Sequence, residues 1–114
     1  MSRDERIYLE DMARSCRKVL RFVAELDREQ FLADEKTYDA VVRNLEIVGE
    51  AAKHISVDLQ RRLPDVDWRK IAGLRDMLAH AYFGIDHDIL WDVVQNKVGQ
   101  LAVPLERFLE ERAG

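Results

Sequence analysis

The run Arg75-Asp76-Met77-Leu78-Ala79-His80-Ala81-Tyr82 holds four side chains of complementary chemistry. Histidine titrates near neutral pH and can act as a general acid or base. Arginine is a fixed cation whose planar fork matches phosphate. Aspartate can hold an imidazole in one orientation, and tyrosine adds a hydroxyl and a stacking face. Together these are the parts for cutting RNA without a metal. A base takes the proton of the ribose 2′-hydroxyl, a cation stabilises the charged phosphorane, and an acid protonates the departing oxygen.

On a helix turning about 100° per residue, Ile71, Leu74, Met77, Leu78 and Ala81 form an apolar face. Arg75 and Tyr82, one heptad apart, line its edge. Asp76 and His80 form a second stripe, where i, i+4 neighbours can hydrogen-bond. Only Ala72 and Ala79 lie between the stripes, so a shallow groove floored by small residues is expected. By spacing alone, exposed charges with a capping histidine are the commoner reading of such a pattern, and a site the rarer one.

A second polar strip, Arg43, Glu46, Glu50 and His54, lies on an otherwise apolar segment. Glu50 and His54 have the spacing of two metal ligands, but no third joins them, so an ion pair or hydrogen-bond network is expected. No metal and no cofactor is expected. Arg14, Arg17, Lys18 and Arg21 suit a solvated helix face better than an RNA-backbone track. Cys16, the only cysteine, lies on an apolar stripe and reads as a buried, inert thiol. His87 reads as surface, and Trp68 and Trp91 as core or interface anchors.

The elements that must carry these residues are all helical. A first helix is predicted from about Arg3 to Leu26, with the stripe Ile7, Met12, Cys16, Val19, Val23 and Leu26. Asp27 to Ala33 reads as a connection. Asp34 caps a long second helix to about Ser56, with Val41, Leu45, Val48, Ala52, Ile55 and Leu59 as core and Ile47 and Ala51 widening it. Gly49 in mid-helix costs about 1 kcal/mol in propensity and marks close packing. Ser56 starts a short helix ending before Pro64. Asp67 caps a helix from Trp68 to Ala81 or Tyr82, and Gly84 breaks it. Asp86 caps a last helix from His87 to about Arg112, with a kink or break at Pro104. The prediction is an all-α antiparallel bundle of four main helices plus a short one, in a single domain over 1–114.

The 114 residues are 47% hydrophobic and 35% charged, with 5 Gly and 2 Pro, which excludes a disordered chain or a turn-rich β protein. A net charge of −4 weighs against strong non-specific nucleic-acid binding, although a local basic patch can coexist with it. No apolar run reaches the roughly 20 residues of a membrane span, and the first residues lack a signal peptide's apolar stretch, so a cytoplasmic protein with no membrane contact is expected.

The spacing Arg-x4-His-x-Tyr at Arg75, His80 and Tyr82 resembles the signature of HEPN-domain proteins, and more closely the HepT branch, toxins encoded beside a minimal nucleotidyltransferase. Gly49-Glu50-Ala51-Ala52 is similar to that family's Gly-Glu-Ala element. Trp68 ahead of Leu74-Arg75-Asp76 and Ile85-Asp86 followed by Ile89-Leu90-Trp91 match as well, so the resemblance covers most of the chain. Position 76 is Asp where many relatives carry Asn, and either can orient a histidine. The resemblance implies a HEPN-like fold and a homodimer whose composite cleft brings two copies of the motif face to face. It implies that Arg75 and His80 are catalytic, that Asp76, Tyr82 and Glu50 support them, and that Tyr82 is an AMPylation site. It further implies a metal-independent ribonuclease toxin of a type II or type VII toxin–antitoxin pair, with RNA as substrate and a nucleotidyltransferase as antitoxin. The alternative is a non-catalytic helical dimer that binds a nucleotidyltransferase, a nucleotide or RNA.

Overall fold

A computed structural model describes residues 1–81 and 86–113, except the side chains at 80, 81 and 113. Eight α-helices and one π-helical stretch make up the described fold, with no strand among those residues. They are α1 (Arg3–Val23), α2 (Arg28–Ala33), α3 (Glu35–Ala52), α4 (Val57–Arg62), α5 (Trp68–Ala72), α6 (Leu74–Ala81), α7 (His87–Asp92) and α8 (Val98–Ala113), with a π stretch at Val93–Lys97. The all-α expectation holds, and four main helical arms are present: α1, α3, α5–α6 and α7–α8.

Helix α1 starts where the Ser2 hydroxyl accepts the Glu5 N–H and acidic Asp4 and Glu5 meet the helix's positive end. Its buried face is Leu9, Met12, Cys16, Val19 and Val23. Ile7, expected in this stripe, is 45% exposed. Leu9 takes the inward position instead, because it lies about 160° round the helix from Ile7, on the side of Met12 and Cys16. Leu26 packs partly buried beyond the helix end. Helix α3 lies antiparallel to α1, since Glu5 near the start of α1 accepts from Ser56 beyond the end of α3. The predicted α3 core of Val41, Leu45, Val48 and Ala52 is buried, with Ile55 and Leu59 continuing it past the helix end. The helix stops at Ala52, short of Ser56, whose hydroxyl instead caps α4.

Three further expectations need correction. Asp27 to Ala33 is the helix α2, closed by a capping box in which Asp27 and Gln30 exchange side-chain and backbone bonds. Six residues do not sustain a helix alone; fully buried Phe31, packed at 5.5 Å against both Tyr38 and Trp91, anchors it. The helix from Trp68 divides at Gly73 (φ −80°, ψ −6°), which closes α5 before α6 begins at Leu74. Pro104 does not break α8. The N–H it lacks would have met the carbonyl of exposed Gln100, where water can substitute, and the irregularity falls earlier, in the π stretch. Trp68 is buried and donates from Nε1 to the Leu63 carbonyl at 3.2 Å, a core anchor as expected. Exposed His87 meets the Tyr38 ring edge-on at 6.1 Å.

Candidate active site

The site is built where α3 and the α5–α6 arm meet. A Cβ at Gly49 would stand 3.3 Å from the Arg75 nitrogen and from the Ile71 carbonyl oxygen, and 3.4 Å from Leu74 Cβ. The missing side chain therefore lets the backbone of the α5–α6 junction rest against α3. That is the close packing expected of a mid-helix glycine. Leu74 and Leu78 face the core, with Ile71 and Met77 half-buried beside them, as the spacing predicted. Arg75 is left at the rim and Ala79 exposed.

Glu50, next to Gly49, projects to the same side as Arg75. Its Oε2 accepts from Arg75 Nη1 at 2.9 Å. Its Oε1 lies 3.9 Å from His54 Nε2, a charge pair only when the imidazole is protonated. The His54 ring stacks on Tyr8 of α1, with centroids 4.4 Å apart and planes within 9°. Glu50 thus stands between His54 and Arg75, and its hydrogen bond is with Arg75, a partner the spacing did not supply. Arg43 and Glu46, the rest of the strip, pair loosely at 3.6 Å.

These residues enclose a cleft of about 440 Å³. Arg75, Glu50, Glu46 and Arg43 are its charged wall, Ile47 and Ala51 its apolar floor, and Tyr8 and Asp11 its opposite side. Tyr8 and Asp11 went unnoticed in the sequence. Tyr8 sits at the edge of the α1 stripe, and only the α1–α3 packing brings it to a site dominated by residues more than thirty positions away. Asp76 is exposed on the first turn of α6. Its expected partner is the side chain of His80, which, with Tyr82, lies outside the described residues. The backbone of α6 carries position 80 five residues beyond Arg75, about 140° further round the helix. A larger cavity, about 520 Å³, opens between the α5–α6 arm and α7–α8, lined mainly by apolar side chains. Its described lining has neither histidine nor arginine, so the smaller cleft has the better chemistry.

A family model described as ribonuclease HepT-like matches residues 12–111. The chain belongs to the HepT-like ribonuclease family. It is 43% identical over 108 residues to a protein of Thermococcus cleftensis named "Probable ribonuclease HepT", covering 95% of this chain and 98% of that one. It is 38% identical over 112 residues to a protein of Methanocaldococcus jannaschii provisionally named as an RNase, covering 98% of this chain and 93% of that one. No solved structure is significantly similar. As a HepT-like protein, the chain has the all-α fold its motif resemblance implied. Among the described residues, no helix is long and apolar enough to cross a membrane.

Proposed function

We propose that this HepT-like chain, as one domain over 1–114, is a metal-independent endoribonuclease toxin acting in the cytoplasm. The observation that carries the reading is Arg75, held at 2.9 Å by Glu50 on the rim of a cleft, in a chain whose relatives are named as ribonucleases. Arg75 supplies a fixed cation for the phosphorane. His80 supplies acid–base chemistry at neutral pH, and Asp76 orients it. One imidazole removes the 2′-hydroxyl proton, O2′ bonds to phosphorus, and the bond to the 5′ oxygen breaks as a second imidazole protonates that oxygen. Two histidines and a near approach of Arg75 to His80 both call for two copies of the chain, because positions 75 and 80 lie about 140° apart round one helix. The active form proposed is a homodimer with a composite cleft. Its antitoxin is a minimal nucleotidyltransferase that modifies Tyr82.

The test is cleavage of RNA by purified protein in the presence of a chelator. His80→Ala is expected to lower the rate by about 10²–10⁴ while the helical circular-dichroism spectrum stays in place. Equal degradation by wild type and His80→Ala would mark the activity as contamination and refute the enzyme.

A further inference from the structure

The cleft beside Arg75 has one component that the cleavage chemistry does not use, the Tyr8–His54 stack. One face of Tyr8 is covered by the imidazole at 4.4 Å with planes within 9°. That contact fixes the plane of the phenol ring, which also lines the cleft. A flat aromatic side chain held in one plane next to an arginine is what an unpaired RNA base stacks on, because every base has a π face. Ile47 and Ala51 add apolar surface to the same cleft.

The charges around the ring narrow the choice of base. Asp11, Glu46 and Glu50 line the cleft together with Arg43 and Arg75. Carboxylates repel a phosphate but accept N–H donors. Guanine alone among the four bases presents two adjacent donor groups, N1–H and the 2-amino group, to match the two oxygens of one carboxylate. Glu50 already accepts from Arg75 and Asp11 from Arg14, so Glu46, 3.6 Å from Arg43, is the carboxylate with both oxygens to offer. The arginines at the rim suit the phosphates that flank such a base.

From this arrangement we infer that the cleft is a subsite for one unpaired guanine of the RNA substrate, with Tyr8 as its stacking surface and His54 as the residue that braces Tyr8. The inference rests on the proposed ribonuclease reading, since it presumes RNA as the ligand. The base bound there sits beside the phosphate that Arg75 contacts, so the subsite selects where the chain is cut.

Binding separates the subsite from the chemistry. The probe is a short 2′-O-methyl oligouridine with one guanine, which lacks the 2′-hydroxyl needed for cleavage, followed by fluorescence anisotropy. Replacing the guanine by an abasic position is expected to weaken binding to wild type by roughly five- to a hundredfold. Inosine, which lacks the 2-amino group, is expected to give part of that loss. The abasic loss is expected to shrink to less than about twofold in Tyr8→Leu, which keeps apolar packing but has no aromatic face, and to persist in Tyr8→Phe. A merely structural role for Tyr8 would weaken guanine and abasic probes equally, and that result overturns the proposal. So does adenine binding as tightly as guanine. So does a Tyr8→Leu protein whose RNA binding is unchanged while its self-association in sedimentation weakens, which makes this face a protein interface. Cleavage of unmodified RNA by wild type with no guanine signature refutes the subsite alone. Absence of cleavage by pure wild type refutes the enzyme reading, and the binding cycle still reports on the subsite.

Discussion

Position 49 is where the fold and the site depend on the same few tenths of an ångström. Alanine there places a Cβ 3.3 Å from two backbone atoms of the α5–α6 arm, Arg75 N and Ile71 O. Those atoms belong to helical backbone and not to a flexible side chain, so relief requires moving the arm. The gain in helix propensity on replacing mid-helix glycine by alanine is about 1 kcal/mol. It offsets a slight overlap, and Gly49→Ala is expected to stay within about 1 kcal/mol of wild type. Valine adds two methyl groups into the same space and recovers less propensity. Overpacking costs about 1–3 kcal/mol, so a net loss of about 1–2 kcal/mol is expected for Gly49→Val. For a chain of this length that is a fall in Tm of roughly 5–10 °C. Activity should fall further than stability. A displacement near 1 Å of a catalytic group costs about 10²-fold, and Arg75 is the residue displaced. Gly49→Val is therefore expected to cleave RNA about ten- to a hundredfold more slowly at a temperature where both proteins are folded, checked by circular dichroism on the assay samples. A valine variant that melts and cleaves like wild type would refute the argument that this glycine sets the α3–α6 spacing.

The remaining expectations concern charge, burial and assembly. The hydrogen bond from Arg17 holds the Glu106 carboxyl below its ordinary value of 4.5. A depressed folded value means the pair stabilises fully above the ordinary value and loses its contribution as pH falls through the folded one. Glu106→Gln is thus expected to lower stability near neutral pH, by up to about 1 kcal/mol because Arg17 is exposed, and to match wild type once acid has protonated Glu106; a difference in thermal unfolding that grows in acid refutes the pair. Burial pushes the Cys16 thiol up to about 12, so alkylation of native protein in mildly alkaline buffer should be far slower than after unfolding in guanidinium; fast native alkylation would show an open thiol. Ala79→Glu, which puts a bulky charge in the small-residue groove, should weaken self-association and cleavage together, and a monodisperse wild-type monomer in sedimentation rules out the dimer. Incubation with the cognate nucleotidyltransferase and ATP should add AMP to Tyr82, mapped by mass spectrometry; an adduct that persists in Tyr82→Phe excludes that position.

The periodicity of apolar residues was enough to read the all-α class, the α3 core and most of the α1 face, because a helix buries one stripe and the spacing of that stripe is written locally. Caps at Asp34, Ser56, Asp67 and Asp86 were legible for the same reason, each being a side chain that bonds a backbone N–H two or three residues away. The motif from Arg75 to Tyr82, with Gly49-Glu50-Ala51-Ala52, was sufficient to point to the family. Helix α2 was missed although Asp27 and Gln30 spell its capping box, since six residues are held by the burial of Phe31 and that depends on Tyr38 and Trp91. The unbroken course through Pro104 was likewise decided by its surroundings, since the carbonyl it leaves unpaired belongs to exposed Gln100. Only the tertiary structure joined Glu50 to Arg75, set Tyr8 and Asp11 around the same cleft, and stacked His54 on Tyr8. Contacts between residues 25 or more positions apart follow from how whole helices pack, and helical spacing within one segment carries no information about that.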